Sequence, residues 1–183
     1  MLPPAFYLLR LFQGVKEVVG RKRLQKLVFL LQNEGLPMGQ TFIFHYYGPY
    51  SPSLAAEVEV LTQPPLALLE EESTSTSSGT VEYRYRLQDD GARLLKEFAE
   101  NGDFSHEIAG TQRFVDRFAE LAVVGPRTLE LAATIVYWMQ KGYPEAEAAE
   151  KTARLKQARP ESSPFKRAMS IARESWEKRP NHS

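Results

Sequence analysis

Cysteine is missing from this chain of 183 residues, and with it go disulfides, thiolate zinc sites and cysteine nucleophiles. An excess of charge of either sign is missing too, since 23 Lys and Arg balance 23 Asp and Glu. A duplex binder neutralises phosphates with basic side chains, so neutrality argues against that class while leaving room for a local patch. Long apolar runs are absent. The longest, Ala132–Met139, falls far short of the roughly 20 residues of a spanning helix. Met1-Leu2-Pro3-Pro4 has neither a basic region nor a small-residue cleavage site, so the expectation is a cytoplasmic protein without membrane contact. Histidine is sparse as well: His45, His106 and His182. Only His45 falls in a regular core element, and it has no paired carboxylate or second ligand beside it, so neither a metal nor a general-base site is read there. No glycine-rich phosphate loop follows a strand, and no serine has a nucleophile-elbow context. The chain is therefore expected to be non-enzymatic, with no catalytic, cofactor-binding or metal-binding residue and no cofactor.

What is present is a hydrophobic content of 43% beside 25% charged residues, enough for a real core. Pro3-Pro4 suits a helix start, and Phe6, Leu9, Phe12, Val15 and Val19 recur at helical spacing, so a first helix is predicted up to Gly20. A second opens at Arg21-Lys22-Arg23, buries Leu24, Leu27, Val28 and Leu31, and stops at Gly35. Thr41–Tyr47 is rich in β-branched and aromatic residues with both faces apolar, which predicts a strand covered on both sides and broken by Gly48-Pro49. Ser51 and Pro52 then cap a third helix with Leu54, Val58 and Leu61 as its buried stripe, and Pro64-Pro65 stops it. Leu66–Glu72 reads as a strand, Ser73–Gly79 as a loop, and Thr80–Leu87 as a returning strand. That strand carries Val81, Tyr83, Tyr85 and Leu87 on one face and Glu82, Arg84 and Arg86 on the other. The three strands are expected to form one small sheet. Gln88 or Asp89 caps a helix holding Leu94, Leu95 and Phe98, closed by Asn101-Gly102.

After Gly102 only helices are predicted, marked by Phe114, Phe118 and Leu121, by Leu129, Ala133, Val136 and Met139, by an Ala/Glu-rich surface stretch over 144–157, and by Phe165, Met169, Ala172 and Trp176. The fold class is mainly α with a small antiparallel sheet. Residues 1–102 are expected to form a winged-helix-like domain and residues 103–183 a helical extension packed on it.

Three pieces carry a family likeness: Arg23-Leu24-Gln25-Lys26-Leu27, the aromatic strand Phe42–Tyr47, and Tyr47-Gly48-Pro49-Tyr50-Ser51 followed by Leu54. Together they resemble the YwgA-like proteins of bacteria and archaea, and the chain is more distantly similar to the Panacea (SocA-like) domain family. In both, a Leu-Gln-Lys-Leu helix precedes a Tyr-Gly-Pro turn. The resemblance covers about the first half of the chain and implies a winged-helix-like fold. On the Panacea side it implies toxin neutralisation or a protein adaptor role. Leu155-Lys156 ahead of the final helix shares the likeness but is too short to carry it.

Two residue sets compete for function. Arg21, Lys22, Arg23 and Lys26 form the densest basic cluster, and with Arg84 and Arg86 they are the candidate nucleic-acid contacts. The bland alternatives are a solvated helix start with the Lys26 stem lying over apolar neighbours, and wing arginines paired with Glu70, Glu71 and Glu72. The third helix, which enters the major groove in winged-helix DNA binders, carries no Lys or Arg here, only Glu57 and Glu59, and phosphate would repel it. The other set is His45, Tyr47 and Tyr50, with Tyr47 expected mostly buried and Tyr50 at the rim as an amphipathic anchor for a protein partner or a second copy. The preferred reading is a module acting through protein contacts, as an adaptor or antitoxin-like regulator. The alternative is a DNA-binding regulator of winged-helix type.

Overall fold

The computed structural model describes residues 2–100 and 104–180. Helix α1 (Pro4–Phe12) is followed by β1 (Val18–Val19), α2 (Arg21–Asn33), β2 (Ile43–His45), β3 (Gly48–Tyr50), α3 (Pro52–Thr62), β4 (Leu69–Ser75), β5 (Val81–Leu87) and α4 (Asp89–Glu100). Four helices complete it: α5 (Ser105–Ala122), α6 (Pro126–Gln140), α7 (Glu145–Leu155) and α8 (Ser163–Glu177). The chain is mainly helical with small antiparallel sheets.

Two sheets form where one was predicted. The first has the order β1-β5-β4, and the second is the hairpin β2–β3 alone. The helix predicted up to Gly20 ends at Phe12 instead. At Gly14 an added Cβ would lie 2.6 Å from Val115 Cγ1, and beyond it the β-branched pair Val18-Val19 finds strand partners in Tyr85 and Arg84. The spacing of Phe12, Val15 and Val19 thus mimics a helical period across a helix-to-strand junction. The strand predicted over 66–72 also shifts. Ser73–Ser75 pair with Tyr83–Val81, so β4 runs into the stretch read as a loop, and only Thr76–Gly79 turns. A ladder partner matters more there than side-chain propensity. Across the hairpin Glu70 faces Arg86 and Glu72 faces Arg84.

The aromatic segment departs furthest from expectation. It reverses at Tyr46-Tyr47, and Gly48–Tyr50 is the return strand, with Ile43 opposite Tyr50, Phe44 opposite Pro49 and His45 opposite Gly48. One face is covered: Phe42 meets Phe29, and Phe44 lies 4.9 Å from Trp138, ring to ring. The other is open, with Ile43 51% and Tyr47 40% exposed. The prediction of cover on both faces fails because a two-stranded hairpin packed on one helix layer has no second layer over it.

Helix α6 is apolar nearly all round and runs through the middle of the helical part, against α2, α7, α8 and β3. Phe12 stacks on Phe118, and Phe29 on Tyr137, so one hydrophobic cluster joins elements before and after residue 102. Glu34 and Arg117 form a buried ion pair of 3.3 Å between the end of α2 and α5. On α8 the buried face is Phe165, Ala168, Ile171 and Ala172, and the predicted Met169 and Trp176 flank it half-buried. The predicted boundary at Gly102 and the cap at Asn101-Gly102 lie outside the described residues, as does His182.

Candidate functional site

The Leu-Gln-Lys-Leu helix and the Tyr-Gly-Pro turn are tied to each other by side chains. Gln25, on the buried face of α2, grips the backbone of Ser51 at two points. Its Oε1 accepts from Ser51 N–H at 2.8 Å, and its Nε2 donates to Ser51 C=O at 3.0 Å. Lys26 Nζ donates to Pro49 C=O at 2.7 Å. Ser51 Oγ in turn accepts from Leu54 N–H at 3.2 Å and caps α3. Gly48 has φ of +88°, and an added Cβ would lie 2.9 Å from Thr134 Oγ1 on α6, so the glycine is required both for the turn and for the close approach. The hairpin is held from its other side by Lys156 Nζ, which donates to Tyr46 C=O at 2.5 Å and pairs with Glu130 at 2.8 Å.

The hairpin fixed in this way forms one wall of a groove of about 820 Å³. The start of α2, Tyr85 of β5 and Ala55, Val58 and Glu59 of α3 line the rest of it. His45, Tyr47 and Tyr50 all line it, as do Arg21, Lys22 and Lys26. The two sets that competed in the sequence thus meet in one place. Lys22 Nζ lies 3.0 Å from the centre of the Tyr47 ring, a cation–π contact, and the His45 ring sits 5.6 Å from that of Tyr50.

Most of the basic candidates are already engaged. Arg21 pairs with Glu71 at 2.9 Å, donates to Tyr85 Oη at 3.2 Å and stacks on Tyr83. The hydrogen bond from Arg21 to Glu71, with the Tyr85 contact, raises the guanidinium above its ordinary pKa. Burial and the hydrogen bond to Glu71 push Tyr85 up. Partial burial of Glu71 pulls the other way, but the bonds from Arg21 and Tyr85 outweigh it and hold this carboxyl below its usual range. Arg23 is not in the groove. It donates to the carbonyls of Ala122 and Val124 and so closes the C-terminal end of α5, with burial lowering its pKa. Arg86 pairs with Glu70 and Glu72 across the hairpin as expected, but Arg84 pairs with Glu82 on its own strand, and Glu17 joins both arginines from outside.

Lys26 is not spread over an apolar surface with its amine in water. It is 3% exposed, and burial lowers it to about 8; Glu130 opposes that shift, while Lys156 and Lys22 add to it. Tyr47, expected mostly buried, is 40% exposed because it stands on the open face of the hairpin, and Tyr50 is half-buried at the rim. Sequence reasoning missed Gln25, Glu71, Tyr85 and Glu130 as parts of this site. For Gln25 a signal exists: a polar residue on the apolar stripe of α2 must find a buried partner. Glu130 and Lys156 reach the site from more than 80 residues away in the chain, and no local pattern points to them.

Among the described residues no group of three or more His, Asp or Glu side chains could hold a metal ion, and no helix is long and apolar enough to cross a membrane. No protein-family model matches the chain. Uncharacterized protein YwgA of Bacillus subtilis (strain 168) is 30% identical to it over 156 residues, which cover 85% of this chain and 86% of that protein.

Proposed function

The chain belongs to the YwgA-like family, and we propose that it is a non-catalytic module of winged-helix type that holds a protein partner in the groove between the β2–β3 hairpin and α3. The strand order β1-β5-β4 within the chain order α1-β1-α2-α3-β4-β5 supports the winged-helix reading; the hairpin is an insertion between α2 and α3. One observation carries the docking reading: Tyr47 and His45 are exposed and Tyr50 half-exposed on a rigidly braced hairpin beside a groove of about 820 Å³. Rigid amphipathic aromatics next to a concavity are what a partner's anchor residues need. An adaptor or antitoxin-like regulator is the form of this reading that the sequence suggests.

The ion pairs weigh against the DNA alternative. Arg21, Arg84 and Arg86 are bound to carboxylates, Arg23 and Lys26 to backbone carbonyls, and α3 presents Glu59 outward. A phosphate ligand would have to break those contacts. The test is a comparison of the full chain with its Tyr47→Ala, Tyr50→Ala variant. A partner captured and identified with the wild type is expected to be lost in the variant, while the thermal midpoint falls by no more than about 4 °C, since rim contacts contribute little to the core. A partner retained by the variant overturns the docking reading, and a large stability loss in the variant with no partner recovered by the wild type assigns both tyrosines to packing. In parallel, anisotropy titrations with duplexes are expected to give weak, salt-sensitive and sequence-indifferent binding at most. Roughly nanomolar binding to one sequence at physiological salt would move the assignment to DNA.

A further inference from the structure

Charge is unevenly matched around the hairpin. Lys22, Lys26 and Lys156 lie close enough for the other two to lower the amine of Lys26, yet the carboxylate that opposes them there is Glu130 alone, and Lys156 takes it at 2.8 Å. Lys26 has three N–H donors and gives one to Pro49 C=O. Lys22 Nζ lies over the face of Tyr47. The other charged pair in the groove, Arg21–Glu71, is balanced internally. With Glu59 on the α3 side set against Lys22 and Lys26, one positive charge is in surplus in a groove lined by aromatic side chains from the hairpin and aliphatic ones from α3.

Building on the docking reading, we propose that the groove takes an acidic peptide segment of the partner, with a carboxylate between Lys22 and Lys26 and a neighbouring apolar side chain between Tyr47 and Ala55. A single carboxylate matches the surplus. A nucleic-acid strand does not, because its further phosphates would meet Glu59 and Glu71 in the groove lining, with Glu70 and Glu72 beside Glu71 on β4. A bare inorganic anion does not match the shape either, since about 820 Å³ is the size of a site that holds several side chains. A depressed Lys26 fits such a role: a carboxylate arriving beside it stabilises the ammonium, and any proton taken up on binding goes to the lysine amine.

The experiment uses the full-length protein at pH 7 and follows backbone amides by NMR, with affinities from calorimetry. The probes are a blocked pentapeptide with one Phe flanked by two Glu, its Gln analogue, inorganic phosphate and a 20-nucleotide single strand. The Glu peptide is expected to shift the amides of Lys22, Tyr47, Gly48, Tyr50 and Ser51, and to bind about tenfold or more tighter than the Gln analogue. Lys22→Gln should bring the two peptides within about threefold by weakening the Glu peptide more than its Gln analogue, and Glu59→Gln should tighten the Glu peptide. Equal affinity for both peptides, a preference that survives Lys22→Gln, or tighter binding of phosphate or the oligonucleotide at the same amides would overturn the inference. If the charge preference is absent but the partner is still lost from the Tyr47→Ala, Tyr50→Ala protein, the acidic segment is wrong and the docking reading stands. If that variant keeps the partner, the docking reading itself falls.

Discussion

Replacing Gln25 by Ala removes both arms of its grip on Ser51, and the two losses are unequal. The Ser51 carbonyl also accepts from Ala55 N–H at 3.2 Å, so it keeps a partner and forfeits one net hydrogen bond, worth about 1 kcal/mol. The Ser51 amide has only Gln25 Oε1, and Ser51 is fully buried, so its N–H is left unsatisfied at a cost of about 1–3 kcal/mol. Together these give about 2–4 kcal/mol, a fall of roughly 5–15 °C in midpoint for a chain of this length. Urea unfolding followed by far-UV circular dichroism and by tryptophan fluorescence measures it; Trp138, against Phe44, reports on the hairpin. The loss should come with an unchanged denaturant slope. A change below about 1 kcal/mol would refute the assignment of Gln25 as the clamp. Gln25→Glu adds a sign. The carboxylate keeps the acceptor for Ser51 N–H but faces the Ser51 carbonyl, and only the protonated form supplies a donor there. Burial raises its folded pKa above the unfolded value of about 4.3, so its stability relative to wild type is best at acid pH and is lost as pH rises through the raised value. A difference from wild type that stays flat from pH 4 to 8 contradicts the donor role.

Two further outcomes follow from the same brace. Lys26 is held near 8 in the fold against 10.5 ordinarily, so from pH 8 to 10.5 the unfolded chain binds a proton that the folded chain has released, and stability should rise by up to about 3 kcal/mol over that window. Lys26→Met should lack the rise when the two are compared by urea unfolding at each pH, and a rise of the same size in both would assign it to other groups. Gly48→Ala combines a left-handed backbone with the approach to Thr134 and should cost about 2–4 kcal/mol, against about 1 kcal/mol at Gly39, where φ is +65° and the space is open. Equal costs in thermal unfolding would mean that the contact with α6 yields.

The helices could be read from the chain because their signals are local. Leu24, Leu27, Val28 and Leu31 repeat on one face of α2, Ser51-Pro52 caps α3, and each pattern sits within a turn or two of what it specifies. The alternation over 81–87 and the opposed charges of the β4–β5 hairpin have the same local character, and Arg86 pairs there as expected, though Arg84 turns to Glu82 and Glu17. The Leu-Gln-Lys-Leu and Tyr-Gly-Pro motifs could be recognised, but the sequence did not say what joins them. Gln25 reaches Ser51 only because the chain between them folds back on α2.

What the sequence alone determined is therefore the family, the helical class and the presence of a small antiparallel hairpin. Partnership was left to the tertiary structure: Val18-Val19 became a strand because β5 lies beside it, and the aromatic segment reversed at Tyr46 because α6 admits Gly48 against Thr134. Lys26 and Tyr47 exchanged their expected environments for the same reason. Whether a side chain is buried depends on what arrives from elsewhere in the chain. Here that is Glu130 and Lys156, which hold the hairpin from behind and leave its other face open to the groove.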